Sequence, residues 1–216
     1  MKVALYGGSF DPFHRGHLEP AKKSAEWLGL DRVIYLPAKR PPHKPDRELT
    51  SPYHRFALVA ASIIDEPWAE VSPWELDREG TTYCFEQLDA FRSARPGDEI
   101  LLMIGADSLA DFPSWKKSTE ILRDTAVVVL PREPFDRERI GARVSESISE
   151  RIRWFSGGEP CPEGPSAGAI WVLPVEPVTI SSTDLRNRLA AGGEVRGEIP
   201  AAALELIGRH RLYRGQ

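Results

Sequence analysis

Two histidines, His14 and His17, stand three residues apart, directly after the run Gly7-Gly8-Ser9-Phe10-Asp11-Pro12-Phe13. Imidazole N–H groups at one spot can stabilise the charge that develops on phosphorus during phosphoryl or nucleotidyl transfer. At a helix start, positions i and i+3 share a face, so both rings can turn to the same place. Gly7 and Gly8 carry no Cβ, which lets a phosphate approach the main chain closely. A helix opening just beyond them offers unpaired N–H groups and a partial positive charge. A glycine pair after a strand is ordinarily only a turn. The combination of turn, proline-stiffened loop and two histidines is what points to chemistry.

A second cluster of the same character lies far along the chain, at Ile180-Ser181-Ser182-Thr183-Asp184-Leu185-Arg186. Three hydroxyls at a helix N-terminus make an anion cradle, and Arg186 adds a fixed charge one turn in. Between the two clusters are three weaker ones. Pro41-Pro42-His43-Lys44 is a stiffened loop in which Lys44 can grip a monophosphate as a point charge. Thr82, Tyr83 and Cys84 sit at a helix start, where hydroxyls and N–H groups meet a small anion. Gly105, Asp107, Trp115 and Lys116 follow an apolar strand. Asp107 can accept from ribose hydroxyls, and Trp115 presents a flat apolar face.

The elements that must hold these residues alternate. Strands are expected at Lys2–Tyr6, Arg32–Leu36, Trp68–Val71, Glu99–Ile104 and Ala126–Leu130. Helices are expected over His17–Leu28, from Pro52 with Phe56, Val59, Ala60 and Ile63 facing inward, and over Tyr83–Phe91. Two more follow, one capped by Ser182 and one begun by Pro200. Strand–helix alternation gives a parallel sheet covered on both faces, an α/β Rossmann-like doubly wound fold. Such folds bind ligands beyond the carboxyl ends of their strands, where the quoted residues fall. The stretch 153–169, rich in glycine and proline, reads as a surface loop.

With 216 residues, 41% of them hydrophobic, residues 1–216 are expected to form a single domain, with 180–216 a C-terminal helical portion. A net charge of -4 gives no basic footprint for nucleic acid. No apolar run approaches the ~20 residues of a membrane span, and the N-terminus does not read as a signal peptide. Cys84 and Cys161 are the only cysteines and lack metal-ligand spacing, which fits a reducing cytoplasm and argues against a zinc site.

The segment ending His14-Arg15-Gly16-His17 resembles the H-x-G-H signature of the nucleotidyltransferase superfamily. With Gly-Gly-Ser-Phe-Asp-Pro ahead of it, the segment is similar to that of the nicotinate-nucleotide adenylyltransferases. Further matches occur in order over roughly residues 1–132 and 170–214. The resemblance implies that ATP is held by Gly7, Gly8, Ser9, Phe10, His14, His17, Gly105, Asp107, Ile180, Ser181, Ser182 and Arg186. Among these His14, His17 and Arg186 would be catalytic. It implies that a pyridine mononucleotide is held by Lys44, Thr82, Tyr83, Cys84, Asp107, Trp115 and Lys116, with Arg132 near the adenine or the phosphates. Magnesium enters with ATP and is held by phosphates and water, with no metal ligands assigned to the protein. Partners are small molecules, and self-association is left open. Cys84 stands where the family's pattern has a threonine, so the acceptor is nicotinate mononucleotide or its amide. Phosphopantetheine as acceptor, a class I aminoacyl-tRNA synthetase relative and a non-enzymatic nucleotide sensor are the rival readings.

Overall fold

The computed structural model describes residues 1–41, 49–131, 144, 146–157, 159–176 and 178–214. Seven strands form one parallel sheet in the order β3-β2-β1-β4-β5-β7-β6. They are β1 (Lys2–Gly8), β2 (Arg32–Pro37), β3 (Ala69–Val71), β4 (Glu99–Gly105), β5 (Val127–Leu130), β6 (Ile152–Trp154) and β7 (Ile170–Val172). The helices are α1 (Arg15–Leu28), α2 (Pro52–Ser62), α3 (Cys84–Ala94), α4 (Ala106–Asp111), α5 (Ser118–Asp124), α6 (Glu146–Ser149), α7 (Ser182–Ala190) and α8 (Ala201–His210). A 3-10 turn at Phe112–Ser114 links α4 to α5. No helix among the described residues is long and apolar enough to cross a membrane.

The apolar runs divide by strand parity. Val3 and Leu5, Ile34 and Leu36, Leu102 and Ile104, and Val127 and Val129 join one cluster. Their neighbours Ala4 and Tyr6, Val33 and Tyr35, Leu101 and Met103, and Val128 and Leu130 join the other. Successive side chains point to opposite faces, so continuous apolar strands require cover on both sides. Helix α1 supplies Leu18, Ala21, Ala25 and Leu28 at helical spacing, and ends at Gly29 with φ 62. That left-handed cap is one that glycine adopts without strain. A third, smaller core gathers Leu58, Leu185, Val195, Ile199, Ala203, Ile207 and Tyr213. It ties α7 and α8 to α2.

Several expected elements shift. β1 runs two residues further, to Gly8, because Gly7 and Gly8 still pair with Leu36 and Pro37. α2 buries Arg55, Leu58, Val59 and Ser62, leaving Phe56 and Ala60 only half-buried. Its inward face is rotated because it meets both the sheet and the C-terminal helices. α7 begins at Ser182 with Ser181 as its N-cap, one residue earlier than expected. Residues 153 and 154, read as the start of a loop, belong to edge strand β6. β6 and β7 have only three residues each, too short for periodicity to register.

The strand order reverses at β1, whose neighbours are β2 on one side and β4 on the other. A doubly wound sheet leaves a crevice at that switch point, outside the carboxyl ends of the strands. Here those ends are Gly7-Gly8 and Ile104-Gly105.

Candidate active site

A cleft of about 650 Å³ opens at this crevice, within the usual range for a ligand site. It is lined by Gly7, Gly8, Ser9, Phe10, His17, Gly105, Asp107, Ile180, Ser181, Ser182 and Arg186, among others. A smaller cavity of about 210 Å³ is lined by Thr82, Tyr83, Cys84, Asp107, Trp115 and Lys116, with Glu75 and Gln87. Gly7, Gly8, Ser9, Asp107 and Ser108 line both. The two sets of residues expected to hold two substrates therefore line two spaces that share one wall. Lys44 and Arg132, expected beside them, lie outside the described residues.

The shared wall is built by the turn after β1. Phe10 has φ 47, a backbone region costly for an aromatic residue. Packing holds it there: its ring meets Tyr6, Phe13, His17 and Tyr35 at centroid distances of 5.1–5.8 Å. Gly8 is required beneath that ring, since a Cβ there would lie 2.8 Å from Phe10 Cε1 and Cζ. The Asp11–Pro12 peptide is cis.

The two histidines take different places. His14 is the N-cap of α1 and is fully buried. It does not line the cleft, contrary to expectation; its Nε2 lies 3.0 Å from Ser182 Oγ. His17, at the third position of α1, accepts the His14 backbone N–H at Nδ1, at 3.3 Å. A neutral ring accepting at Nδ1 carries its proton on Nε2. The two rings are 3.8 Å apart. Gly16 makes this possible, because a Cβ there would meet His14 Cε1 and Nδ1 at 2.9 Å. His14 thus links the start of α1 to the start of α7, and His17 faces the cleft. Arg186 donates to the Asp11 carbonyl at 2.6 Å and to Thr183 Oγ1 at 3.1 Å. Two helix N-termini, hydroxyls, an imidazole and a guanidinium converge on one space, a donor set for a polyphosphate.

The smaller cavity has a different chemistry. The Trp115 ring lies tilted at 52° against Phe112, with centroids 5.4 Å apart, and Lys116 Nζ lies 4.4 Å above the Tyr83 ring, within cation–π reach. Burial pushes the Cys84 thiol up to about 12, so it stays neutral and is a weak donor at most. Glu75 is buried, accepts the Lys39 N–H at 2.9 Å and receives Gln87 Nε2. Burial raises its carboxyl above the ordinary range, against the pull of those hydrogen bonds.

Sequence reasoning missed four residues around the site: Arg55, Glu75, Gln87 and Tyr213. Arg55 is fully buried and donates to three carbonyls, Ser9 at 2.6 Å, Ala38 at 2.7 Å and Thr50 at 2.8 Å. Burial lowers its pKa and the Asp11 carboxylate opposes that shift. A charged residue on the apolar stripe of α2 was the available signal. Tyr213, donating to Asp11 Oδ1 at 2.9 Å, had none.

A doubly wound sheet with an H-x-G-H helix and a second anion-binding helix at its switch point defines a nucleotidyltransferase. The sequence model of the cytidylyltransferase-like family matches residues 5–188. A Neisseria meningitidis protein named "Probable nicotinate-nucleotide adenylyltransferase" is 34% identical over 212 residues, spanning 98% of each chain. A protein of the same name from a Thermoanaerobacter species is 31% identical over 215 residues, 99% of this chain and 95% of its own. The chain belongs to the cytidylyltransferase-like family and, within it, to the nicotinate-nucleotide adenylyltransferases. The solved structure of Plasmodium falciparum nicotinic acid mononucleotide adenylyltransferase complexed with NaAD superposes with a TM-score of 0.73. That superposition covers 98% of this chain and 97% of the other at 17% identity, a likeness of fold.

Proposed function

We propose that this protein transfers the adenylyl group of ATP to nicotinate mononucleotide, giving nicotinate adenine dinucleotide and pyrophosphate on a route to NAD. The observation that carries this reading is the shared wall. A polar cleft suited to a triphosphate meets an aromatic cavity suited to a flat ring at Gly7–Ser9 and Asp107–Ser108. The family membership supports the same pairing of substrates.

In this reading ATP lies between the Gly7-Gly8 turn, His17 and the start of α7. The 5′-phosphate oxygen of the mononucleotide forms a bond to the α-phosphorus. The bond from that phosphorus to the bridging oxygen breaks, and pyrophosphate leaves with the electron pair. No side chain forms a covalent bond. Positioning and charge stabilisation carry the rate. His17 Nε2–H donates to a non-bridging oxygen as its charge grows, and Arg186 neutralises the phosphates. His14 acts by holding the two helix starts together. Lys44 grips the mononucleotide phosphate, and Trp115 stacks on its ring.

The donors around the cleft suit phosphate rather than a cation, and no cluster of three or more His, Cys, Asp or Glu occurs among the described residues. Mg²⁺ would enter with ATP, carried by the triphosphate and water, and would supply charge neutralisation. Residues 1–216 act as one unit, with 180–216 contributing the second phosphate motif. Both cysteines are unpaired, which supports work in the cytoplasm.

One observation favours a second acceptor. Glu75 and the neutral Cys84 line the ring cavity, and a carboxylate accepts an amide N–H. Nicotinamide mononucleotide is the alternative on that ground. ATP labelled at the α-phosphorus tests the bond assignment. The label is expected in the dinucleotide, and label in the inorganic product refutes adenylyl transfer.

A further inference from the structure

The turn that separates the two substrate spaces is held from behind at three carbonyls. Arg55 holds Ser9 O, Arg186 holds Asp11 O at 2.6 Å, and Ser182 Oγ holds Pro12 O at 3.4 Å. A trans peptide sets C=O and N–H in opposite directions. Turning the Ser9 carbonyl toward the buried Arg55 therefore turns the Phe10 N–H the other way. Arg55 also holds Ala38 O, beyond the end of β2. Ser9 lines both cavities and Ala38 lines the smaller one. One rigid guanidinium thus fixes the spacing of two loops, one bordering both cavities and the other bordering the smaller.

The guanidinium is held by its three carbonyls, and the Asp11 carboxylate favours its charged form. Asp11 is buried, with Oδ1 taking the Tyr213 hydroxyl. Its Oδ2 accepts no hydrogen bond among the described residues. A buried cation needs a counter-charge, and a buried carboxylate needs donors. Tyr213 supplies one donor to Asp11, and the Asp11 carboxylate favours the charged form of Arg55 without a direct hydrogen bond to it. Tyr213 comes from the segment after α8, 202 positions away from Asp11. It is wedged into the small core of Leu58, Leu185 and Ile207. None of the three is surplus to a well-packed core: a Leu or Phe would cost less to bury than this cluster.

We propose that Arg55 and Tyr213 are positioning residues of the reaction. Arg55 through the Ser9 carbonyl and Tyr213 through Asp11 fix the Ser9–Pro12 turn, and with it the distance and angle between the attacking phosphate oxygen and the α-phosphorus. They touch neither substrate. The inference rests on the adenylyl-transfer reading for its kinetic arm alone. Misplacement of a reacting atom by an ångström costs up to about 10²-fold in rate.

Tyr213→Phe is the test, because it removes one oxygen and keeps the ring that fills the core. Two quantities are read on the full-length protein. The first is kcat per folded site, with sites counted by calorimetric titration with a non-hydrolysable ATP analogue. The second is the phosphorus NMR shift of the bound analogue's α-phosphorus, which needs no acceptor. The expected result is an approximately tenfold lower kcat, KM values for both substrates within about twofold, and a displaced α-phosphorus resonance. Arg55→Lys, whose single ammonium cannot span three carbonyls, is expected to lower kcat further. A Tyr213→Phe protein that melts earlier, yet keeps kcat per site within twofold and the parent's resonance, overturns the proposal. If the parent itself transfers no adenylyl group, the functional reading fails. The resonance then still decides the positioning role.

Discussion

Replacing His17 by asparagine separates the two jobs that the ring performs. The Nδ1 edge accepts the His14 backbone N–H at 3.3 Å and so completes the N-terminus of α1. An asparagine carbonyl can occupy the Nδ1 position. It cannot reach where Nε2–H meets the cleft. The variant keeps the helix start and loses the donor to the α-phosphate. Removing one such donor costs about 10²–10³ in kcat, or about 2.7–4 kcal/mol of barrier. The ring also packs on Phe10 at 5.1 Å and Phe13 at 5.4 Å. Each aromatic contact is worth about 0.5–1.5 kcal/mol. Loss of both corresponds to a drop of about 2–12 °C in Tm for a chain of this size. The variant therefore stays folded at 25 °C, and its rate reports chemistry. The assay is pyrophosphate release under saturating ATP and acceptor, with a thermal melt on the same sample. A kcat within tenfold of the parent, in a fully folded variant, refutes the assignment of His17 as the charge-stabilising donor.

Gly16→Ala places a Cβ 2.9 Å from the His14 ring; it is expected to break the bond to Ser182 and lower kcat about tenfold, with α-helix content by circular dichroism unchanged. Cys84→Thr restores a hydroxyl donor at the ring cavity, and the ratio of kcat/KM for acid over amide should rise about 2- to 10-fold, the worth of one neutral hydrogen bond; an unchanged ratio shows that position 84 does not read the carboxylate. Glu75 binds its proton more readily folded than unfolded, so its contribution to stability is full below about pH 4.5 and is lost as pH rises through the raised value. Against Glu75→Gln, the parent should accordingly gain unfolding free energy as pH falls through the raised value toward about 4.5, measured by urea titration, and a constant difference contradicts the assigned shift.

Where the sequence was readable, local chemistry and tertiary position agreed. The glycine turn, the H-x-G-H helix start and the serine-capped α7 are each recognisable from a few adjacent residues, and the structure brings them to one cleft. Strands β1, β2, β4 and β5, of four to seven residues, were legible as continuous apolar runs buried on both faces. β6 and β7, at three residues each, carry no period. For His14, helical spacing gives a face shared with His17 but not the bond that fixes its ring. That bond is to Ser182, 168 positions away. Arg55 and Tyr213 escaped for the same reason: their meaning lies in partners joined only by the fold. Glu75 carries no local signal of its own, and only its burial beside Gln87 gives it a role in the cavity.

The most direct test of the central claim is pyrophosphate release with ATP and Mg²⁺, run in parallel with nicotinate mononucleotide and its amide. The account predicts turnover with both H-x-G-H histidines intact and a clear preference for the acid, drawn by Lys116 above the Tyr83 ring at the rim of the cavity. Preference for the amide moves the substrate and leaves the chemistry. Release with neither mononucleotide contradicts the account.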